Sequence, residues 1–519
     1  MPGLSTQLLV IGGGATGLGI ALDAVLRGIK TVLVDKSDLG QGTSGRYHGL
    51  LHSGGRYVIS DPVSAADCAR ENRVLRKLAP SAIEDTGGLF VSVPTDPQDF
   101  PDRWLAACHA NGVPAQEISP KSALKREPLL NPRITRAFAV QDASLDSFDL
   151  LHLLSAAVQS HGGQVWPRCR VESLMLEDGR VTGAVVRSLI GDDLIVVGAE
   201  LTINAAGPWA GAIADLAGLQ IPIALGKGTM LAMATRLVNT VVNRCKPPAD
   251  GDIFVPVGTV SVLGTTDVLV RDAESLSIDP WEIDLLLAEG ELLVPTLPTH
   301  RPLRAWAGVR PLYRPPTQSA QETRTLPRAH TLLDHQALHG LPGMISVFGG
   351  KLTTYRLMAE QAIDLACQHL HVQSACLTAQ TPLEAGTSLH YLARRHARLE
   401  DPAHHRFSAD VVCECELITR SDLEHAITQA ASDDLDDIRR DLRLGMGPCQ
   451  AAFCGYRAAG LARSLATQAP VDGGLAPFLA ERWRGIRPLG WGQMLRQLEL
   501  SRRFSQELLG LPTLEEDSA

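Results

Sequence analysis

Four of the ten cysteines stand close together. Cys413 and Cys415 form a Cys-x-Cys pair, Cys449 and Cys454 a Cys-x4-Cys pair, and 33 residues separate the two. Four thiolates can hold either a zinc ion or a [2Fe–2S] cluster. Structural zinc usually uses two Cys-x-x-Cys knuckles, a spacing that neither pair has. The other six cysteines, at positions 68, 108, 169, 245, 367 and 376, are scattered and read as packing thiols. Such usage suits a reducing compartment. Near the opposite end, His48 and His52 lie four residues apart in a stretch of small residues. A neutral imidazole there can act as a general base, or can merely hydrogen-bond a neighbour and pack the loop.

The elements that must position these groups begin with Leu8-Leu9-Val10-Ile11, an apolar run that predicts a buried parallel strand. It leads into Gly12-Gly13-Gly14-Ala15-Thr16-Gly17, a helical pattern over 18–27, and a second apolar run over 30–34 that stops at Asp35. This is Gly-x-Gly-x-x-Gly in strand–turn–helix–strand order with an acid about 20 residues on, the dinucleotide fingerprint. Gly12 allows the tight turn, Gly14 lets the backbone approach a pyrophosphate, and Gly17 brings helix close to strand. The helix start at Ala15 and Thr16 presents free N–H groups to phosphate, and Asp35 is placed to accept from ribose hydroxyls.

A plain nicotinamide fold would continue with alternating helices and strands. Here Thr43, Ser44 and Arg46 open the small-residue loop that holds both histidines, which suits a backbone pressed against a flavin. Val171 falls among short strands expected to close over the adenosine half. Ala206, Gly207 and Trp209 end another apolar strand, and Gly349, Gly350, Lys351 and Leu352 follow a third, just before a helical pattern over 356–369. A flavin part is therefore expected in three pieces, 1–79, 166–214 and 331–385, with a substrate part interleaved at 80–165 and 215–330.

The length of 519 residues suggests about three domains. A hydrophobic content of 45% with 20% charged residues is that of a globular chain, not a disordered one. Lys and Arg total 48 against 57 Asp and Glu, and the net charge of −9 argues against nucleic acid as a partner. No basic segment leads into an apolar core with a small-residue cleavage site, so no signal peptide is expected. The longest charge-free candidate for a span, 365–383, carries Gln368, His369, His371, Gln373 and Gln380, which a bilayer core penalises. A cytoplasmic protein is expected, with peripheral membrane contact left open.

On these segments the chain resembles the FAD-dependent glycerol-3-phosphate dehydrogenases, most of all the catalytic A subunit of the anaerobic, quinone-linked type. The blocks are 11–18 (IGGGATGL), 45–58 (GRYHGLLHSGGRYV), 204–210 (NAAGPWA), 263–268 (LGTTDV), 307–313 (AGVRPLY) and 347–361 (VFGGKLTTYRLMAEQ). The resemblance implies an α/β (α+β) architecture. Its core is a Rossmann-like FAD-binding domain of the glutathione-reductase and D-amino-acid-oxidase type with an interleaved substrate domain. A small helical four-cysteine domain and a helical tail follow. The implied reaction is oxidation of sn-glycerol 3-phosphate to dihydroxyacetone phosphate. Electrons would leave through FAD and an iron–sulfur domain to partner subunits and a quinone, at the inner face of the cytoplasmic membrane. Whether FMN binds at a subunit interface, and whether a histidine is joined covalently to FAD, the sequence leaves open.

In that family Arg310 and Lys351 match positions lining the substrate site, and Arg56 falls in the same blocks. Planar guanidinium binds phosphate oxygens bidentately. Tyr57 and Thr265 or Thr266 are the expected hydroxyl donors, with Arg328 a weaker addition. The cysteine spacing is similar to that of bacterioferritin-associated ferredoxin-like domains, which implies a [2Fe–2S] cluster on Cys413, Cys415, Cys449 and Cys454 within 408–462. Residues 386–407 read as a polar linker, and Asp433, Asp434, Asp436 and Asp437 as a solvated face or helix start. The tail, 463–519, interleaves Trp483, Ile486, Trp491, Leu495 and Leu498 with arginines. It is expected to pack back on the chain or to dock a partner subunit or the membrane face. Two other readings compete: a flavin dehydrogenase for an L-2-hydroxy acid or amine, where the 49–56 loop type also occurs, and an electron-transfer subunit without turnover.

Overall fold

The computed structural model describes residues 3–274, 276–314, 323, 326–389, 391–400, 410–429, 434–465, 474–490, 495–496, 498–500 and 502–503. An eight-stranded sheet is built around Gly3–Ile11, whose parallel neighbours are Thr31–Val34 and Leu194–Asn204. Thr31–Val34 is buried at every position, as a parallel strand covered on both faces requires. Helix Ala15–Leu26 packs against helices Tyr355–Leu370 and Ser147–Ser160. Their closeness has a local cause, because a Cβ on Gly19 would lie 2.8 Å from the Tyr355 ring. Leu18, Ile20, Leu150, Leu151 and Ile363 fill the shared core, each worth about 1.5–3 kcal/mol when fully buried.

The division of the chain differs in detail from that expected. Helix Ser147–Ser160 and the first two residues of strand Gln164–Trp166, expected within the substrate part, belong to the nucleotide layer. The helix buries Leu150, Leu151, Leu154 and Val158, and the strand pairs in parallel with Thr31–Val34. An apolar helical stripe announces burial but not the partner, which here lies more than a hundred residues upstream.

A second sheet of nine strands carries the substrate side. Its longest pairing joins Ile223–Met233 antiparallel to Pro302–Tyr313, with Gly228 opposite Gly308 and Gly226 opposite Arg310. Helix Pro280–Leu293 covers it through Ile283, Leu286 and Leu293, packed in one core with Phe254 and Leu263. A small three-stranded sheet joins Leu50–Leu51, Ala143–Leu145 and Ile83–Glu84. It fixes the loop carrying His48 and His52 between the two larger layers.

Helices Arg420–Gln429, Leu435–Leu442, Cys454–Leu465 and Leu475–Ile486 enclose a separate core around Ile418, Leu423, Ile438 and Phe478. The expected linker contains a helix, Tyr391–Glu400. The Arg236 guanidinium lies 4.5 Å from the Tyr391 ring centre, and Arg395 donates to the Cys415 carbonyl at 3.0 Å, so this helix spans from body to cysteine domain. Residues 401–407 lie outside the described residues.

The acidic run is a helix start and an interface, not a solvated face. Asp434 caps Leu435–Leu442 by accepting from the Asp436 N–H at 2.8 Å, and the largely buried Asp437 pairs with Arg168. Asp433 lies outside the described residues. Helix Leu475–Ile486 and the turn Arg487–Leu489 pack back on the chain. Phe478 enters the cysteine-domain core and Leu489 that of the nine-stranded layer. Trp491 lies outside the described residues. Among the described residues no helix is long and apolar enough to cross a membrane.

Candidate active site

The glycine turn leaves no room for side chains. Gly12 has φ +119°, and a Cβ there would meet the Ala205 carbonyl oxygen at 2.5 Å; one on Gly17 would meet the Gly12 carbonyl oxygen at 1.8 Å. The Asp35 carboxylate accepts from the N–H groups of Gly13, at 2.5 Å, and Ser37, at 2.7 Å. Burial pushes its pKa up to about 6, against those two hydrogen bonds. Ser44 Oγ accepts from Ala15 N–H at 3.0 Å, tying the loop to the helix start. Thr43 Oγ1 donates to the Val309 carbonyl at 2.5 Å, so the same loop is clamped to the nine-stranded layer.

A cavity of about 370 Å³ extends from this turn past both histidines. On the nucleotide side it is walled by Gly12, Gly14, Ala15, Thr16, Asp35, Thr43, Ser44 and Arg46. Val171, Ala206, Gly207 and Trp209 continue the wall, and Gly349, Gly350, Lys351 and Leu352 close it. His48, His52, Arg56, Tyr57, Thr265 and Arg310 line the other half. Two expected residues stand apart. Gly17 serves helix–strand packing behind the turn, and Thr266 is fully buried. Thr266 Oγ1 accepts from Thr229 N–H at 2.9 Å and donates to Glu282 at 2.8 Å. Thr265 lines the cavity, whereas Thr266 is held away from it by these two buried hydrogen bonds.

Four cations converge on one phenol. Lys351 Nζ lies 4.9 Å and the Arg56 guanidinium 5.8 Å from the Tyr57 ring centre. Arg310 donates to Thr265 Oγ1 and pairs with Asp267 at 3.1 Å; Arg328 pairs with the other oxygen of Asp267, also at 3.1 Å. Arg56 pairs with the buried Asp252 at 2.8 Å. Burial pushes the Tyr57 pKa up, but Arg56, Arg328, Lys351 and Arg310 outweigh it and bring the group below its ordinary value. Arg310 is itself held below its usual range by burial and by Arg328. Positive charge therefore exceeds negative here, the condition for holding an anion. Asp252 and Asp267 were not anticipated from sequence, although Asp267 directly follows the two threonines.

The histidines are neutral. Burial pushes the His48 pKa down to about 3, helped by Arg56 and Arg310; burial, His48, Lys351 and Arg56 push His52 well below its usual range. Leu50 N–H donates to His48 Nδ1 at 3.2 Å, which puts the proton of neutral His48 on Nε2. His52 is anchored through its backbone N–H to Thr353 Oγ1 at 3.1 Å, its ring 5.9 Å from that of His48.

In the C-terminal domain the four thiols are neighbours, with Cys454 against Cys413 and Cys449, Cys449 against Cys415, and Cys413 near enough to Cys415 to act on it. The Cys454 S–H holds Cys413 down at about 7 and Cys449 at about 5, whereas burial raises Cys415 to about 11. Gly447 makes room for this loop, since a Cβ there would lie 3.0 Å from Cys415 Sγ. Among the described residues no three His, Cys, Asp or Glu side chains are grouped as one metal ion requires. Four neighbouring thiols are a donor set that a [2Fe–2S] cluster takes.

Fold and site together are those of an FAD-dependent oxidoreductase. The family described as FAD dependent oxidoreductase matches residues 7–356, and the BFD-like [2Fe-2S] binding domain matches residues 411–463. The A subunit of the anaerobic glycerol-3-phosphate dehydrogenase of Haemophilus influenzae is 39% identical over 98% of this chain and 94% of its own length. Its counterpart in Escherichia coli K12 is 37% identical, over 99% and 98%. The chain belongs to the family of anaerobic glycerol-3-phosphate dehydrogenase A subunits.

Among solved structures, the glycerol-3-phosphate dehydrogenase from Bacillus halodurans complexed with FAD superimposes with a TM-score of 0.60 at 22% identity, over 98% of this chain and 92% of its own. The L-alpha-glycerophosphate oxidase from Mycoplasma pneumoniae with FAD bound gives 0.58 at 18%, over 74% and 100%. At such identities the likeness bears on fold. The two cofactors of the chain are FAD and a [2Fe–2S] cluster.

Proposed function

We propose that the chain oxidises sn-glycerol 3-phosphate to dihydroxyacetone phosphate. The observation that carries this reading is the set Arg56, Arg310, Arg328 and Lys351 around Tyr57, in one cavity with His48 and His52. A phosphate dianion is the group such a set suits, because guanidinium forks match its oxygens and Lys351 adds a point charge. Bound FAD supplies the acceptor for the hydride from the alcohol carbon. The chain's own groups supply the rest. The arginines and Lys351 hold the phosphate, while Thr265 and Tyr57 orient the glycerol hydroxyls. His48, with its proton on Nε2, donates a hydrogen bond, which leaves His52 to take the hydroxyl proton. The negative charge of the phosphate would offset the smaller, cationic part of what holds the histidines neutral, burial being the larger part.

The nucleotide half falls to Gly12, Gly14, Ala15, Thr16 and Asp35, with Ser44, Val171, Ala206 and Gly349 to Leu352 along the rest of the flavin. Cys413, Cys415, Cys449 and Cys454 hold the cluster. Electrons then leave one at a time to partner subunits and a quinone, with the protein peripheral at the inner face of the cytoplasmic membrane. The naming of the relatives as one subunit of a larger enzyme supports an assembly of this kind. Anaerobic addition of glycerol 3-phosphate should bleach the flavin band near ~450 nm. An unchanged band, with a dye acceptor also unreduced, would overturn the proposal.

A further inference from the structure

The four-cysteine domain is seated on its own flavin body, and Arg443 stands at the joint. This residue follows helix Leu435–Leu442 in the left-handed conformation, φ +63°, which turns its side chain back to the body. Its Nη1 donates to Asp146 at 2.7 Å and its Nε to Glu416 at 3.3 Å. Glu416 adjoins the cluster ligand Cys415. Asp146 adjoins Leu145, whose N–H donates to the Gly49 carbonyl at 2.8 Å and whose carbonyl accepts from the Tyr47 hydroxyl at 2.7 Å. Tyr47 and His48 line the cavity. An unbroken run of bonds and hydrogen bonds thus leads from Cys415 through Glu416, Arg443, Asp146 and Leu145 to Tyr47.

The joint is close on its third side as well. A Cβ on Gly258 would lie 3.5 Å from Arg443 Nη2, and one on Gly49 would lie 2.9 Å from Val257. Further contacts set the orientation: Arg440 to Asp38 at 2.7 Å, Asp441 to His152 at 2.5 Å, and Arg301 to the Pro448 carbonyl at 3.0 Å. Contacts at several separated points fix a rigid placement, where a single tether would allow a swing.

We propose that Arg443 is a positioning residue that locks the four-cysteine domain to the segment bonded to Tyr47 and Gly49, so that a cluster held by the four cysteines would be reduced by FAD of the same chain. The inference rests on the assignment of the two cofactor sites above. Each transfer takes one electron from reduced flavin to one ferric iron of the cluster, which becomes ferrous. The second electron follows after a one-electron acceptor outside the chain has reoxidised the cluster, and the flavin proton goes to solvent.

The test uses the full chain with both cofactors, under anaerobic conditions, with the flavin photoreduced by light and EDTA. Flavin absorbance and the electron paramagnetic resonance of the reduced cluster are followed together. In the native chain the cluster signal should rise with flavin reduction. In Arg443→Met the flavin should be reduced as before, with the cluster signal clearly slowed relative to the native chain. Arg443→Lys should lie between. Amide exchange in 143–148 and 435–444 should rise in Arg443→Met, a readout that needs no turnover.

If that variant loses iron, Asp146→Asn breaks the same joint and keeps the cap of helix Ser147–Ser160. A native cluster that stays oxidised beside reduced flavin would overturn the inference. So would an unslowed cluster signal in either variant that retains iron. Failure of glycerol 3-phosphate to bleach the flavin would instead refute the substrate assignment alone, because light supplies the electrons here.

Discussion

Asp267 holds Arg310 by a 3.1 Å ion pair at the wall of the cavity, and that pairing sets the direction in which the guanidinium fork faces. The same carboxylate takes Arg328 on its other oxygen and the Thr323 hydroxyl at 2.6 Å. The floor beneath is glycine, since a Cβ on Gly228 would lie 2.4 Å from Arg310 Nη2. A fork held in this way before substrate arrives loses little freedom on binding.

Replacing Arg310 by alanine should therefore remove two charged hydrogen bonds to phosphate. The expected loss is about 2–3 kcal/mol in kcat/KM, roughly 30- to 150-fold, carried mostly by KM. Flavin content should be unchanged. Steady-state kinetics with glycerol 3-phosphate check this, and an unaffected kcat/KM would remove Arg310 from the phosphate site.

The two adjacent threonines should respond differently. Thr265→Val, at the cavity, should raise KM and leave the thermal midpoint near that of the native chain. Thr266→Val should leave KM alone but cost about 1–3 kcal/mol of stability, because Glu282 and Thr229 N–H lose a buried partner. Thermal unfolding beside kinetics separates the two; equal effects would contradict the assignment.

Burial of neutral His48 carries a pH signature. Its folded pKa of about 3 lies below the ordinary 6.5, so as pH falls the unfolded chain takes up the proton first. The contribution to stability is whole above about pH 6.5 and is lost progressively as pH falls toward about 3. His48→Gln should remove that part of the dependence. Urea midpoints of both proteins across this range provide the check, and parallel curves would show that His48 is not buried neutral.

For the C-terminal domain, Cys454→Ser should abolish bound iron and acid-labile sulfide while flavin content and its bleaching by substrate persist. Native protein prepared anaerobically should contain iron and sulfide in equal amounts and no stoichiometric zinc. Zinc without iron would replace the cluster by a structural ion.

Much of this site is legible in the sequence because its signals are local. The glycine turn, the small-residue loop, the Gly349-Gly350-Lys351 segment and the two cysteine pairs each declare themselves within a few residues. What escapes such a reading depends on pairing over long distances. Arg440 meets Asp38 across 402 positions, and this pairing places the supposedly solvated acidic run in an interface. Asp252 and Asp267 gain their meaning only from Arg56, in the helical turn Gly55–Tyr57, and Arg310, on strand Pro302–Tyr313. Thr266 is a hydroxyl candidate by type alone. What turns it from the cavity is its pair of buried partners, the Thr229 N–H and Glu282. Helix Ser147–Ser160 shows its apolar stripe, but nothing in the stripe names Ala15–Leu26 as its partner.

Strand Pro302–Tyr313 has a consequence for which changes the chain tolerates. Arg304 and Arg310 lie on one side of it, alternating with buried Leu303, Ala305, Ala307 and Val309. Arg304 meets Glu481 of the tail at 3.3 Å, Arg310 faces the cavity, and between them Gly308 admits the Arg46 carbonyl, 2.1 Å from where a Cβ would stand. Deleting or inserting one residue after Pro302 would drive both arginines toward apolar core and set a bulkier side chain against Arg46. The cavity-facing guanidinium, the close approach to Arg46 and the seat of the tail would be lost in one event. The length of this strand is therefore fixed by three separate contacts at once.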